Sequence, residues 1–461
     1  MSNTMNATAT DAIETLRRRL FEPVDIAALV YFRLAFGGIM LVEVYRYFTH
    51  GWIGRYWIEP TFHFSYYGFD WVHPWPGVGM VVHWVALGIV IFGLTIGLCY
   101  RLCAILFFFG FTYTFLLDQA RYLNHFYFVC LLGFILMFLP AHRAFSLDAK
   151  MRPSLRADTV PAWTLWLLRA QVGIVYFYGG IAKINSDWLH GSPLWMWLDD
   201  SSDLFLIGPY FSEMWVVYLF AWGGMLFDLL IVPGLLWRKT RWLAFFAAIV
   251  FNFMNHHLFQ IGIFPWVMLA GSVLFFDPDW PRRIFNRWPH GDPVPATSSR
   301  PKWVMAGLGV YLLVQTLAPL RHWLYPGVTS WTEEGHLFSW QMKLRDKSAE
   351  AEFFATDPAT GKISKVDLAE YLDDRQISKM STRPDMILQM AHHLAEVYRG
   401  RGMARVEIRA DVSASLNGRK HQRLIDPNVD LAAQPQTLRA ASWILPLTEP
   451  LPPMADRPEG G

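Results

Sequence analysis

Residues 163–188 read WTLWLLRAQVGIVYFYGGIAKINSDW. The stretch is long and apolar enough to cross a bilayer, which takes roughly 20 mostly apolar residues. Near its C-terminal end, after Gly179-Gly180, stands Lys183. A lysine facing lipid at the bilayer centre costs about 2.5–3.5 kcal/mol on insertion scales, so this one is expected to face protein, water or the interface. Two readings stand side by side. Either Lys183 snorkels to a headgroup layer, or it is a desolvated amine whose burial lowers its proton affinity and makes it available as a general base. Tyr176, two helical turns earlier, falls on the same face.

The rest of the chain has the same character. It has 461 residues, 53% of them hydrophobic and 16% aromatic, with only 17% charged; ordinary globular chains carry about 25% charged residues. Its 22 Trp and 35 Phe suit membrane spans with aromatic belts. A net charge of +2 gives no sign of a nucleic-acid partner. Cys99, Cys103 and Cys130 fall in apolar stretches without a CxxC pair, which leaves no basis for a zinc ribbon or a thioredoxin-like site. No phosphate loop, dinucleotide fingerprint or nucleophile elbow is present, so nucleotide-driven work is not indicated. The polar N-terminus has no apolar core, and the first span is expected to be the targeting signal.

Apolar stretches at 26–48, 80–99, 102–117, 123–140, 161–183, 213–237, 241–259, 262–276 and 302–319 predict a polytopic, mainly α bundle of about nine spans. Gly262 and Pro265 interrupt the pair at 241–276, for which one span plus a re-entrant piece is the alternative. Basic residues should collect in cytoplasmic loops. Arg17–Arg19, Arg101, Arg143 to Arg156, Arg238 to Arg241, and Arg282 to Lys302 (with Arg287 and Arg300 between) then fall on one side, which sets the N-terminus inside and the C-terminus outside. The aromatic-rich loop 49–79 is expected on the outer membrane face. The expected organisation is a cytoplasmic segment 1–25, a membrane domain 26–320 and an extramembrane α+β domain 321–461.

In that last domain, AEFFATDPATGKISKVDL predicts two strands around a turn at Asp357–Gly361. PDMILQMAHHLAEVYRG predicts an amphipathic helix ended by Gly400, and ARVEIRADVSASL a half-buried strand. The tail from Glu449 is Pro-rich and reads as loose.

This topology sets Lys183, His125 with Asn124, and Asn255 with His256 and His257 all near the outer interface. That convergence predicts a site open to the outer leaflet and covered by the outer domain. Each residue also has a duller explanation: a lone His commonly caps a helix or bonds a carbonyl. Adjacent His256 and His257 point different ways on a helix, so no metal is expected. Asp118, Asp187 and Asp228 are read as interfacial or paired groups near span ends.

Several separated stretches together resemble the vitamin K-dependent gamma-carboxylase family. YLNHFYF (122–128) is similar to the family segment with its essential histidine, here His125; LLRAQVGIVYFYGGIAKINSDWLHG (167–191) is similar to that with the catalytic lysine, here Lys183. FMNHHLFQIGIFPWVMLAGSVLFFDPDWPRR (253–283), SWTEEGHLFSWQMK (330–343), LIDPNVDL (424–431) and ASWILPL (441–447) also resemble family segments, in the same order. The resemblance implies a membrane carbon–carbon lyase that couples epoxidation of reduced vitamin K or menaquinol by O2 to carboxylation of peptide glutamate by CO2, without a metal. An amine is far too weak a base to take the glutamate γ-proton directly. The family instead uses a base to deprotonate the quinol, whose oxygenation yields a strongly basic alkoxide. By resemblance Lys183 is the initiating base and His125 positions or polarises an intermediate. Tyr176 and Asn255 support them, and Asn124, Trp188 and His256 join the quinone site. The implied partners are the lipid bilayer, the quinone and a glutamate-containing peptide. The implied location is a bacterial inner membrane, with the C-terminal domain periplasmic. Two departures bear on the protein substrate: Ala182 stands where animal members carry a second lysine, and less sequence follows ASWILPL. They leave weight for a quinol-oxygenating enzyme that does not carboxylate a peptide or that modifies a different acceptor; a non-catalytic binding or transport component is a third alternative, against which the retention of Lys183 and His125 in their family contexts argues.

Overall fold

In the computed structural model the described residues are 2–199, 208–285, 301–403 and 405–452. Arg287, Arg300 and the part of the Pro-rich tail beyond Pro452 lie outside them. The N-terminal segment carries a helix, Ser2–Leu20. The apolar stretches form helices α1 (Ala27–Thr49), α2 (Gly79–Ile96), α3 (Tyr100–Leu116), α4 (Asn124–Phe138), α5 (Trp163–Ala182), α6 (Met214–Leu236), α7 (Arg241–Phe259), α8 (Phe264–Val273) and α9 (Lys302–Leu317).

The protein is a multi-pass membrane protein. Among the described residues six helices are long and apolar enough to cross a membrane: α1, α2, α5, α6, α7 and the run from Lys302 to Leu324 that α9 begins. This is fewer than the sequence expectation of about nine. The reason is length: α3, α4 and α8 have 17, 15 and 10 residues, or about 25, 22 and 15 Å at 1.5 Å per residue, against a hydrocarbon core of about 30 Å. The break between α7 and α8 falls where Gly262 was noted; Gly262 takes a positive φ of 60°.

Consecutive helices pack in pairs from α1 to α4 and again from α5 to α8, and α8 returns to touch α1 and α5. Arg33, inside α1, is fully buried. It donates to the carbonyls of Thr95 (3.1 Å), Ala141 (2.5 Å) and Ala144 (3.3 Å), which ties the last turn of α2 and the loop beyond α4 to the first helix. A buried guanidinium needs this many acceptors to offset its desolvation.

Beyond the bundle lies a four-stranded antiparallel sheet formed by β1 (Lys347–Thr356), β2 (Ile363–Lys365), β3 (Glu407–Leu416) and β4 (Gln422–Arg423), in the order β2-β1-β3-β4. Ala351 pairs with Val412 and Phe353 with Ala410. Alternate residues Ile408, Ala410 and Val412 are buried, as a period of two requires. Helix α10 (Asp374–Ser381) opens on a capping box between Asp373 and Gln376. Helix α11 (Pro384–Gly400) buries Met386, Met390 and Leu394, one face at four-residue spacing.

Loop 49–79 does not simply lie on the membrane face. Trp57 and Tyr66 pack into the membrane core, while Phe64 joins the core of the outer domain. Gln389 of α11 accepts from Ser65 N at 2.9 Å. Trp57, Phe64 and Tyr66 thus staple the two layers together, while Tyr67, Phe69, Trp71 and Trp75 stay exposed. Asp118 and Asp187 do the same by ion pairs and hydrogen bonds: Gln376 donates to Asp118 at 3.1 Å, and Arg419 reaches Asp187 at 2.7 Å.

Candidate active site

The site begins where α5 and α6 come close. A Cβ on Gly180 would meet the Leu229 side chain at 2.8 Å and its backbone nitrogen at 3.1 Å; one on Gly179 would stand 3.3 Å from Asp228 Oδ2. Small residues let membrane helices approach to this degree. Lys183 caps α5, and its side chain runs back toward the helix N-terminus, as long helical side chains do. Nζ donates to Gly179 O at 3.3 Å and to Asp228 Oδ2 at 2.5 Å. The Trp188 ring closes a third side, its centroid 5.3 Å from Nζ, in cation–π contact. Trp188 is itself fixed by Nε1 donating to Ala221 O at 2.8 Å.

These contacts decide one sequence reading and correct another. Lys183 does not snorkel to headgroups; it is 7% exposed, and its amine is paired with a carboxylate. Asp228 is paired, as expected, but it sits inside α6 rather than near its end. A lone ionised carboxylate there would cost several kcal/mol in desolvation, and the lysine offsets that cost.

The pair opens on a cavity of about 890 Å³ between the helices and the outer domain, within the size range of small-molecule sites. His125, from α4, lines the same cavity as Lys183. Its ring stands edge-on to Phe126, and among the described residues none hydrogen-bonds it. The positive φ of Gly262 lets the chain turn beside this ring: a Cβ there would lie 3.6 Å from His125 Nε2 and 3.3 Å from Arg46 Nη1. Glu43 holds Arg46 at 2.7 Å.

Tyr176, Asn124, Trp188 and Asn255 also line the cavity. Tyr176 Oη lies 3.4 Å from Ser272 Oγ and accepts from Asn252 Nδ2 at 3.4 Å. Asn124 Oδ1 accepts from Tyr122 Oη at 2.9 Å. His256 does not line the cavity. Adjacent helical positions point about 100° apart, so with Asn255 facing inward His256 turns away, its ring 5.5 Å from that of Trp266. Sequence reasoning passed over Asn252, Glu43 and Arg46, and gave Asp228 no role. Asn252 is one turn before Asn255 on the same face. Asp228 carried a signal of its own, since a carboxylate inside a long apolar helix marks a function by default.

The outer wall is cationic. Segment 329–345 dips into the membrane layer, with Trp340 fully buried in the membrane core. Four of its non-glycine residues, Glu333, Phe338, Trp340 and Lys343, have φ between 47° and 62°, a conformation that costs roughly 1–2 kcal/mol per residue. Tyr122 Oη accepts from Phe338 N at 2.9 Å and helps hold this shape. Glu333 accepts from Arg345 Nε at 2.7 Å and has Lys347 Nζ at 3.6 Å. Burial alone would raise Glu333, but Arg345, His336, Lys347 and Arg383 outweigh it and hold its carboxyl at about 2. Burial lowers Lys379 to about 8, with the fields of Arg383, Arg375 and Arg345 adding to it. Arg375 and Lys379, one turn apart on α10, line the cavity along with Arg383. Glu333 is neutralised by its own partners, so this wall has positive charge to spare for an anion. Among the described residues no three His, Cys, Asp or Glu gather as a metal site.

A model of the HTTM domain matches residues 21–280. A model of the vitamin K-dependent gamma-carboxylase lumenal domain matches residues 300–450. No solved structure matches the chain.

Proposed function

The chain belongs to the vitamin K-dependent gamma-carboxylase family, and on that premise we propose that it is a quinol-dependent glutamyl carboxylase with quinone epoxidase activity. Lys183 is the initiating base, His125 a second group at the reacting centre. One observation carries the reading: Lys183 and His125, far apart in sequence, line one cavity with membrane helices on one side and a cationic wall on the other.

The cavity fits the quinone that the family implies. Phe264, Met268 and Phe251 give it apolar walls beside the polar pair, so a flat ring with a long tail meets apolar surface while its oxygens meet donors and acceptors. When bound, reduced vitamin K supplies, with O2, the strong base that no side chain here can be. The protein's own groups do the remaining work. Lys183 takes a hydroxyl proton. Trp188 and the apolar wall keep water from the amine, which strengthens every charge interaction inside. His125, its ring free to meet a ligand oxygen, polarises or donates. Arg375, Lys379 and Arg383 draw in the carboxylate of a glutamate side chain, which favours carboxylation over oxygenation alone.

We further infer that the chain lies in a bacterial inner membrane with α1 to α9 embedded and an odd number of them crossing it, so that at least one of the shorter helices also crosses, with the N-terminus cytoplasmic and the sheet domain periplasmic. Support comes from the basic residues that gather between alternate helices.

The test is direct. Purified protein in detergent is given reduced vitamin K or menaquinol, O2, labelled bicarbonate and a glutamate-containing peptide. Label in the peptide together with quinone epoxide is the expected result. Epoxide alone assigns the chain to quinol oxygenation, and neither product with either quinol overturns the reading. Lys183→Ala is expected to abolish epoxide formation, with partial rescue by a small amine; full activity in that variant removes Lys183 as the base.

A further inference from the structure

We propose that Asp228 is an internal proton store: it takes the proton of Lys183 and so frees the amine to act as a base without releasing a proton to water. The inference rests on the reading of Lys183 given above and adds a residue to it. Asp228 acts through Lys183 and is therefore a positioning residue.

The geometry is a single short hydrogen bond, Nζ to Oδ2 at 2.5 Å, between two buried side chains on adjacent helices. The pair shares one proton. It exists as ammonium with carboxylate, or as amine with carboxylic acid, and the two forms have the same net charge. Transfer along the bond therefore moves no net charge through the membrane interior, where an isolated ion costs several kcal/mol. In the second form the amine has its lone pair free. It then accepts the hydroxyl proton of a reduced quinone. The O–H bond breaks, an N–H bond forms, and the electron pair stays on the oxygen. The pair passes from net zero to +1, matched by the one negative charge left on that oxygen. A lysine without this partner must lose its proton to bulk water before each turnover.

The local construction serves this bond. Gly180 permits the close approach of α5 to α6, and Gly179 leaves the space that Asp228 Oδ2 borders, at 3.3 Å from where a Cβ would stand. The Gly179 carbonyl and the Trp188 ring hold the amine on its other sides. The remaining ionisable groups on the membrane side of the cavity are Tyr176 on α5, His125 on α4, Glu43, Arg46 and Tyr47 on α1, and His50, Tyr56, Arg121 and Tyr122 in the loops that follow α1 and α3. On the segment above, Lys343 lies over the Trp197 and Phe259 rings, 5.2 Å from each. Among the described residues none of these is hydrogen-bonded to the pair.

Two measurements test the proposal. The first is the pH profile of epoxide formation. With an internal store the wild-type rate is flat across neutral pH. Asp228→Asn keeps the shape and can still accept from Lys183, but it cannot hold a proton. Its kcat is expected to fall at least tenfold at low pH and to recover by about tenfold per pH unit as the solitary amine deprotonates. Asp228→Glu is expected to restore the flat profile. A merely structural Asp228 would leave the Asn variant less stable but equally flat. The second measurement needs no turnover. Infrared difference spectra are taken on wild-type protein containing 13C-aspartate, with menadiol added without oxygen. A protonated-carboxyl band carrying the isotope shift is expected, and it should be missing in Asp228→Asn. Quenching of tryptophan fluorescence by menadione shows whether that variant keeps a folded site. No epoxide from the wild type removes the reading of Lys183 on which this rests. Epoxide from the wild type without a protonated aspartate band, or an Asn variant as flat as the wild type, overturns the proposal alone.

Discussion

Gly180→Ala is the sharpest test of how the fold builds the amine's surroundings. The added Cβ would stand 2.8 Å from Leu229 Cγ and Cδ2 and 3.1 Å from the Leu229 backbone nitrogen. Carbon atoms settle at about 3.5 Å or more, so the helices must separate by about 0.7 Å, or Leu229 must leave a low-energy rotamer. A rotamer change relieves only the side-chain clash, because backbone cannot swing aside. Overpacking of this kind costs about 1–3 kcal/mol. The larger effect is on the pair itself: a shift of that size stretches the 2.5 Å bond from Lys183 to Asp228 beyond about 3 Å, at the weak end of charge-assisted hydrogen bonds. Misplacing a catalytic group by an ångström costs up to about 100-fold in rate, so a loss of about 10- to 100-fold in epoxide formation is expected. Gly223→Ala is the control, since that residue is on α6 and a Cβ there meets nothing within 4 Å. The assay is epoxide formation from reduced vitamin K, with thermal unfolding in detergent run beside it. A Gly180→Ala protein as active and as stable as the wild type would refute the argument that this glycine sets the site.

Two further outcomes concern the outer wall. Glu333→Gln leaves Lys347, whose side chain is closed off from solvent, and the half-buried Arg345 without their carboxylate, which costs up to about 3–5 kcal/mol; early proteolysis of residues beyond 329 is the expected readout. The sign follows from the carboxyl being held at about 2 in the fold, below its ordinary 4.5. The contribution is complete above the ordinary value and disappears as pH falls through about 2, so the variant and the wild type should converge in acid. Lys379 is lowered to about 8, chiefly by burial, so it loses its charge above that pH. The KM for an acidic peptide should then rise about three- to tenfold between pH 7 and 9. Lys379→Arg should abolish the rise, and a flat wild-type KM over that range would exclude Lys379 from carboxylate binding.

Much of the fold was legible because periodicity and length report on burial directly. The outer domain is an example: alternation in ARVEIRADVSASL marks the strand Glu407–Leu416, and four-residue spacing marks α11, whose end falls at Gly400. Both signals are local. The length of α3, α4 and α8 was less legible, since an apolar run does not say where the helix inside it stops. In α8 the start after Gly262 was legible, but the stop is set by the turn that follows Val273. Part of the role of loop 49–79 was hidden for a similar reason. Aromatic residues suit a lipid interface and a protein interface equally, and only the presence of a sheet domain above Phe64 decides between them.

The site divides along the same line. Lys183, Tyr176, His125, Asn124, Trp188 and Asn255 were recoverable because each is polar or aromatic at a recognisable place in the chain, and all six line one cavity. What sequence could not supply was the partner of the amine. Lys183 and Asp228 are 45 positions apart, and no period or motif links them; the link is Gly179-Gly180, which reads locally as a weak point in a helix and acts in space as the door through which α6 enters. This changes the chemistry expected of the lysine. Burial alone would make it a base by stripping away water. Burial beside a carboxylate makes it half of a neutral pair, whose readiness to accept a proton depends on where one hydrogen sits along 2.5 Å. A glycine pair before a membrane lysine, with a lone acid inside the next long helix, is therefore a pattern that a sequence reading can look for.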